Sequence, residues 1–292
     1  MRVASAAAPV CWGIFREAEH SPGRVDDDAA ILRAAGRRLE ETADVTVHYR
    51  GPEALDEPGT ALPPLVFAMC EGEAALRALS GWERRGVCVV NSASSILNTH
   101  RERTVALLDG RGVPTPEGRL IDTAKALPRG SRDDGLLAAC WVKQATGHKT
   151  ADGSVEFASG AASVSDALDR LRGRGVSRAL LQRHVEGDWV KFYGVGGRDD
   201  AAPAWFRWFH PPERPAAGSP FDARRLRDVA SRGAALLGLD VWGGDAIVTA
   251  AGEIFVIDLN AFPSFALYRE EAAASIAAHL GARLRRRAPV AV

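Results

Sequence analysis

Between residues 10 and 90, short apolar runs alternate with stretches of helical spacing, and this alternation restricts the chain to few folds. Residues 10–15, 45–49, 65–69 and 87–90 read as strands, while 29–41 and 73–85 space their apolar residues three and four apart, as helices do. Strands joined through helices build a parallel sheet with crossover connections. The acidic run Asp26, Asp27 and Asp28 is expected to cap the first helix and to match the positive end of its dipole. Residues 1–95 are therefore expected to form a small open α/β domain.

The rest of the chain follows a different order. Residues 95–112 read as one helix, closed by Gly112 and by Pro114-Thr115-Pro116, after which the chain must be extended. Next come a polar turn region (127–135), a strand (138–143), a loop (144–153), a strand (155–158) and a helix (165–171). Strands at 179–183, 190–195 and 205–209 and a helix at 221–237 follow. A hairpin joins 245–248 to 254–259 around Ala250-Ala251-Gly252. The terminal helix, 270–287, ends in Arg283, Arg285, Arg286 and Arg287, which suit the negative pole of its dipole.

Composition narrows the function. Hydrophobic residues make up 46% of the chain and charged residues 25%, enough apolar surface to bury cores and to argue against disorder. Lys+Arg and Asp+Glu number 37 each, so the basic excess of a nucleic-acid binder is missing. No apolar run approaches the ~18 residues of a membrane span. The small-residue stretch at the N-terminus leads straight into Trp12-Gly13-Ile14-Phe15, which reads as a buried first strand rather than a leader. Cys11, Cys70, Cys88 and Cys140 lie in or beside apolar stretches without metal-type spacing. Buried free thiols in a reducing compartment, the cytoplasm, are expected.

The sharpest motif spans Gly243-Gly244-Asp245 and Ile257-Asp258-Leu259-Asn260-Ala261-Phe262-Pro263-Ser264. Two strands joined by a tight turn place Asp245 and Asp258 near one sheet end, and Asp258 and Asn260, two apart, leave the same face. Two carboxylates and an amide oxygen make a hard, all-oxygen site suited to Mg²⁺ shared with substrate phosphates. A plain hairpin with an Asx turn before Pro263 is the structural alternative.

This segment resembles the metal-binding strand of the ATP-grasp superfamily, and is especially similar to the form found in inositol trisphosphate kinases. From Asn91 to Phe265 the order of features also resembles ATP-grasp ligases such as D-alanine–D-alanine ligase, glutathione synthetase and the glutamate ligases of ribosomal proteins. The resemblance implies an ATP-grasp fold: a small N-terminal α/β domain (1–95), a central lobe with a lid loop (96–183) and a C-terminal lobe with the metal site (184–292). It implies ATP and Mg²⁺, or Mn²⁺, as cofactors, bound by Asp245, Asp258 and Asn260.

Further roles follow from the same resemblance. A helix cation on the nucleotide phosphates corresponds to Arg101 or Arg103, with Arg101 preferred; a solvated helix face is the other reading. Lys143, closing a strand, matches the family lysine on the α- and β-phosphates, and Gly147 and His148 fall at the tip of the lid. Gln182, the Arg183 carbonyl and the Val185 amide match the adenine hinge. The acidic ribose contact falls on Trp189, leaving Asp188 or Glu186 as substitutes. Lys191 and Arg207 match basic positions facing the transferred phosphate, although Arg207 also reads as a snorkelling cation on an aromatic strand. The polar loop after the first strand offers His20, Arg24 and Asp27 to the second substrate, and Ser264 lies beside the metal strand.

The function implied is an ATP- and Mg-dependent carboxylate–amine ligase working through an acyl phosphate. Its partners would be small carboxylate and amine substrates, with neither nucleic acid nor membrane involved and a homodimer as the family's common assembly. A kinase similar to inositol polyphosphate kinases and a non-catalytic nucleotide binder are the alternatives.

Overall fold

The computed structural model describes residues 8–57, 61–125, 134–146, 154–196 and 203–286. The first strand, β1 (Val10–Ile14), is followed by α1 (Val25–Thr42), β2 (Thr46–Arg50), β3 (Leu65–Ala68), α2 (Glu73–Arg84) and β4 (Cys88–Val90). These strands form a sheet of order β2-β1-β3-β4 in which every pairing is parallel. The helical crossovers expected from the alternation are present.

Two short helices come next, α3 (Ala93–Asn98) and α4 (Arg101–Leu108), where a single helix was expected. The Thr99 hydroxyl donates to the Ile96 carbonyl (2.7 Å), a local bond that competes with the helical ladder. His100 then starts the second helix in extended conformation, which puts Arg101 at the first position of α4.

A second sheet contains β5 (Gly118–Asp122), β6 (Cys140–Gln144), β7 (Val155–Ala158) and β8 (Arg178–Arg183) in the order β5-β8-β6-β7, all antiparallel. The helices α5 (Asp134–Ala138) and α6 (Gly160–Gly173) interleave with these strands in the chain. Strand β5 carries no clear alternation and escapes the sequence pattern. Ala138, expected in a strand, ends α5 instead.

The third sheet takes β9 (Asp188–Val195), β10 (Trp205–Phe209), β11 (Val241–Val248) and β12 (Ile254–Ala261) in the order β10-β9-β11-β12, again antiparallel. Helices α7 (Ala223–Leu237) and α8 (Arg269–Arg285) complete the chain.

The cores divide unequally. One cluster joins Trp12, Ile14 and Val66 of the first sheet to Phe192, Trp242, Val248 and Leu259 of the third. Another joins Cys11, Ile31 and Phe67 to Tyr193, Val241, Phe262 and Ile276. The second sheet keeps a smaller core of its own, with Ile121, Val142, Leu168 and Leu181. Asn91, fully buried, stitches the first and third sheets together. Its amide donates to the Val241 carbonyl (2.7 Å) and its oxygen accepts from the Asp240 and Val241 amides (2.7 and 2.9 Å). All four cysteines are free and buried, as expected. No helix among the described residues is long and apolar enough to cross a membrane.

Candidate active site

The second and third sheets face each other across a cleft. On the second sheet, Lys143 of β6 is 6% exposed, and its ammonium donates to the Gln182 side-chain oxygen on neighbouring β8 (2.6 Å). Burial pulls the Lys143 pKa down to about 8, with nearby Arg101 lowering it further and Asp258 and Asp245 across the cleft raising it.

On the third sheet, Asp245 of β11 and Asp258 of β12 are direct cross-strand partners. Gly243 and Gly244, just ahead of the strand expected at 245–248, lie inside β11. A Cβ on Gly244 would stand 2.3 Å from the Asp258 carbonyl oxygen, so this close approach requires glycine. The register slips just after Asp245, where it moves from Asp258 to Val256, leaving Ile257 as a bulge residue. Ile257 and Asp258, adjacent in sequence, consequently both line the cleft. Asn260, two residues on, shares the face of Asp258, and Lys191 of β9 lies opposite Asp245.

The Asp245 carboxylate accepts from Trp189 Nε1 (2.8 Å) and Lys191 Nζ (3.0 Å). Burial nevertheless raises its pKa, Lys191 opposes that rise, and the neighbouring Asp258 adds to it. Arg101 crosses from α4: it donates to the Gln144 carbonyl (2.9 Å) and stands 3.7 Å from the Asp258 carboxylate. Three cations from three elements thus converge on two facing carboxylates.

Among the described residues no group of three or more His, Cys, Asp or Glu side chains could hold a metal. The donor set here is two carboxylates and the Asn260 amide. Like charges directly opposite on a sheet repel, and a divalent cation between them would remove that repulsion. The oxygen-only chemistry fits Mg²⁺, which keeps part of its coordination for water and phosphate.

Three chambers open from this cluster. An apolar one, about 260 Å³, is lined by Trp141, Lys143, Gln182, Val185, Trp189 and Ile257, among others. Trp141 Nε1 donates to His184 Nδ1 (3.1 Å), and Phe157 packs edge-on against both rings. The backbone after β8 thus forms one wall, where Val185 N–H has no partner among the described residues. The Arg183 side chain turns away to pair with Glu117. A second chamber, about 310 Å³, lies between α4, β5, β8 and β12 and shares Arg101 and Asp258 with the third. That third chamber, also about 310 Å³, runs from Asp258 and Asn260 to His20, Arg24, Ser264, Asp28 of α1, and Arg16 and Glu71, which follow β1 and β3.

The structure therefore gathers Arg101, Lys143, Gln182, Val185, Lys191, Asp245, Asp258 and Asn260 around one cleft, with His20, Arg24 and Ser264 at its far end. It redirects others. Arg207 does not join the cluster. Its side chain, about half exposed, pairs with Glu271 of α8 (2.7 Å) and lies over the Trp205 ring. Asp188 is not free for a ribose, because its two oxygens accept the Ala217 and Ser219 amides (2.6 and 2.7 Å), which lower its pKa. Asp27 pairs with Arg269 (2.7 Å) on α8. Arg103 is exposed. Gly147 and His148 lie outside the described residues.

Asp26, Asp27 and Asp28 sit within the first turn of α1 rather than capping it. Asp28 instead accepts from the Ser21 hydroxyl (2.6 Å) and stands 3.0 Å from Arg16. Arg16 and Glu71 escaped the sequence reading, although each follows an apolar strand run at the carboxyl end of a parallel strand, where ligands bind in open sheets. Arg16 also pairs with Glu71 and donates to the Phe262 carbonyl (2.8 Å). That contact braces a turn in which Phe262 and Phe265 adopt left-handed φ values of 41° and 50°. Such strain costs roughly 1–3 kcal/mol per residue, and both rings are fully buried, an offset of about the same size.

The arrangement is that of the ATP-grasp fold. A D-alanine–D-alanine ligase from Bacillus anthracis, complexed with ATP, superposes with a TM-score of 0.69 at 12% identity over 96% of this chain and 98% of that one. A D-alanyl-alanine synthetase A from Vibrio cholerae O1 biovar eltor str. N16961 gives 0.71 at 11% identity over 96% and 98%. The ATP-grasp ligase PsnB, complexed with precursor peptide PsnA2 and AMPPNP, gives 0.65 at 18% identity over 97% and 100%. No protein-family model matches the sequence, and no curated protein matches it.

Proposed function

We propose that the protein is an ATP- and Mg²⁺-dependent carboxylate–amine ligase that releases ADP and phosphate. One observation carries this reading: buried Lys143 faces the Asp245–Asp258 pair across a cleft that continues into an apolar, aromatic pocket. A nucleotide triphosphate has matching parts, a flat base for the pocket and a polyanionic tail for the cations. The solved structures of the same fold named above are ligases, which agrees.

In this reading the base enters the pocket beside Trp141 and Val185, and Lys143, Arg101 and Lys191 neutralise the phosphates. Asp245, Asp258 and Asn260 would hold Mg²⁺, which supplies charge neutralisation on the β- and γ-phosphates when bound. A substrate carboxylate oxygen attacks the γ-phosphorus, the bond to the β–γ bridging oxygen breaks, and ADP leaves. An amine nitrogen then attacks the acyl carbon, the carbon–oxygen bond to phosphate breaks, and the amine gives up a proton. The chain's contribution is positioning and charge placed in advance. The chamber at the far end of the cleft suits the carboxylate substrate. Its Arg16 is already neutralised by Asp28 and Glu71, and Arg24 stands 3.7 Å from the Asp27 carboxylate, so the chamber keeps little uncompensated positive charge, which fits a carboxylate better than a polyphosphate.

ADP release measured against panels of acids and amines tests the proposal. Turnover that requires one of each supports it. Turnover with a polyol phosphate alone makes the protein a kinase, and tight ATP binding without turnover on any panel makes it a non-catalytic binder.

A further inference from the structure

We propose that Arg214 is a nucleotide-binding residue, held against the ribose of the bound nucleotide by a loop that the Asp188 carboxylate clasps. The inference rests on reading the 260 Å³ apolar pocket as the base site. Among the described residues that pocket is lined by no carboxylate, so no acidic side chain is present to receive ribose hydroxyls. Its charged lining is Lys143, Arg183 and Arg214. Lys143 is engaged by Gln182, and the Arg183 side chain by Glu117. The Arg214 guanidinium is exposed and has no partner among the described residues.

The loop that carries Arg214 is built to hold a position. It leaves β10 through Pro211 and Pro212, turns with the Arg214 amide donating to the Pro211 carbonyl (3.2 Å), and continues through Pro215. Three prolines in five residues restrict the backbone strongly. Further on, Gly218 adopts a φ of 84°. This left-handed residue turns the Ala217 and Ser219 amides toward a single anion, and that anion is the Asp188 carboxylate (2.6 and 2.7 Å). Asp188 immediately precedes Trp189, which lines the same pocket. One end of β9 therefore supplies both a wall of the pocket and the anchor of the loop that reaches over it. A guanidinium donates and never accepts. Against a ribose it bonds hydroxyl oxygens, taking over with opposite polarity the contact that an acidic residue would make. Arg214 is the binding group and Asp188 a positioning residue.

Calorimetric binding of ADP and of 2′,3′-dideoxyADP, each with Mg²⁺, tests the inference on the full chain. Arg214→Ala is expected to weaken ADP about tenfold, the size of one hydrogen bond to a charged group, and to bring ADP and the dideoxy analogue to equal affinity. Asp188→Ala is expected to weaken ADP by a smaller factor. The double variant should be no weaker than Arg214→Ala alone, because both changes remove one contact. A merely structural Asp188 would give additive losses and leave the hydroxyl preference intact, and either result overturns the clasp. If Asp188→Ala does not fold, Arg214→Ala decides alone: unchanged ADP affinity or an unchanged hydroxyl preference overturns the inference. Lys143→Met separates this inference from the base-site reading. Loss of ADP binding there with none in Arg214→Ala removes Arg214 only, whereas a wild-type chain that binds no ADP removes the base site itself.

Discussion

On the central sheet, one lysine is buried beneath the cleft surface with an amide oxygen as its hydrogen-bond partner. On the C-terminal sheet, two aspartates stand opposite each other, with Lys191 and Trp189 both bonded to Asp245. Burial drives the two walls toward neutrality from opposite sides, moving the Lys143 pKa down to about 8 and the Asp245 pKa upward. Neither wall is at its electrostatic best alone, because a charge moved from water into protein must find a partner or titrate away. In the proposed reading one ligand complements both walls: a metal-bound polyphosphate would bring negative charge to one and positive charge to the other.

The cores sharpen the contrast. The C-terminal wall shares two hydrophobic clusters with the first sheet, whereas the central wall rests on its own smaller one. The central wall meets the rest of the protein through polar contacts such as Arg101 on the Gln144 carbonyl and the Glu102 amide on the Ala145 carbonyl (3.2 Å). Interfaces of this kind permit relative motion.

The comparison breaks most visibly at Asp258. Asp258→Asn removes one of the facing carboxylates and is expected to cut ADP formation roughly 10²–10³-fold. It should leave the melting temperature of the unliganded chain unchanged or slightly raised, since a repulsive pair is gone. Retained Mg²⁺-dependent stabilisation by ADP in a thermal-shift assay would remove the metal assignment.

On the opposite wall, Lys143→Met is expected to raise the Kd for ADP roughly 10–100-fold, the range for a lost bond to a charged group. An unchanged Kd would detach the lysine from the phosphates.

The same lysine gives a smaller effect that depends on pH. Its pKa near 8 in the unliganded chain rises when an anion neutralises it, so ADP binding takes up a proton above pH 8. Affinity should be flat below that value and fall by up to about tenfold per pH unit above it. Calorimetry in buffers of different ionisation enthalpy would detect the proton, and Lys143→Met should abolish it.

The smallest effect is expected at Arg207, whose partner is Glu271 on α8 rather than the cleft. Arg207→Ala should change ADP affinity by less than about twofold, as loss of an exposed ion pair does. A tenfold loss would return Arg207 to the phosphate cluster.

The helical crossovers of the first sheet and the carboxylate hairpin were legible in the sequence because each rests on a local rule. The 29–41 periodicity predicts α1, the turn at Gly252 predicts the β11–β12 pairing, and the spacing of two predicts that Asp258 and Asn260 share a face. The break at Thr99–His100 was hidden, because a threonine hydroxyl bonding back to Ile96 leaves no mark on hydrophobic spacing. Strand β5 was hidden because its few apolar residues count only beside β8. Arg207, Asp188 and Asp27 are held away from the roles expected of them for one reason: each side chain finds an opposite charge or a free amide on an element distant in sequence. Residue type shows that a group can bind a ligand, but its distant neighbours decide whether it is free to.

By itself, the sequence determined which segments are strands and helices and which oxygen-bearing side chains leave one strand face, since periods of 2 and 3.6 are properties of the local backbone. Tertiary structure alone decided that Lys143 is buried opposite those oxygens, that a slip in register turns Ile257 and Asp258 both toward the cleft, and that Asp188 holds a loop. Burial and charge pairing depend on what the rest of the chain brings near, and no local pattern records it.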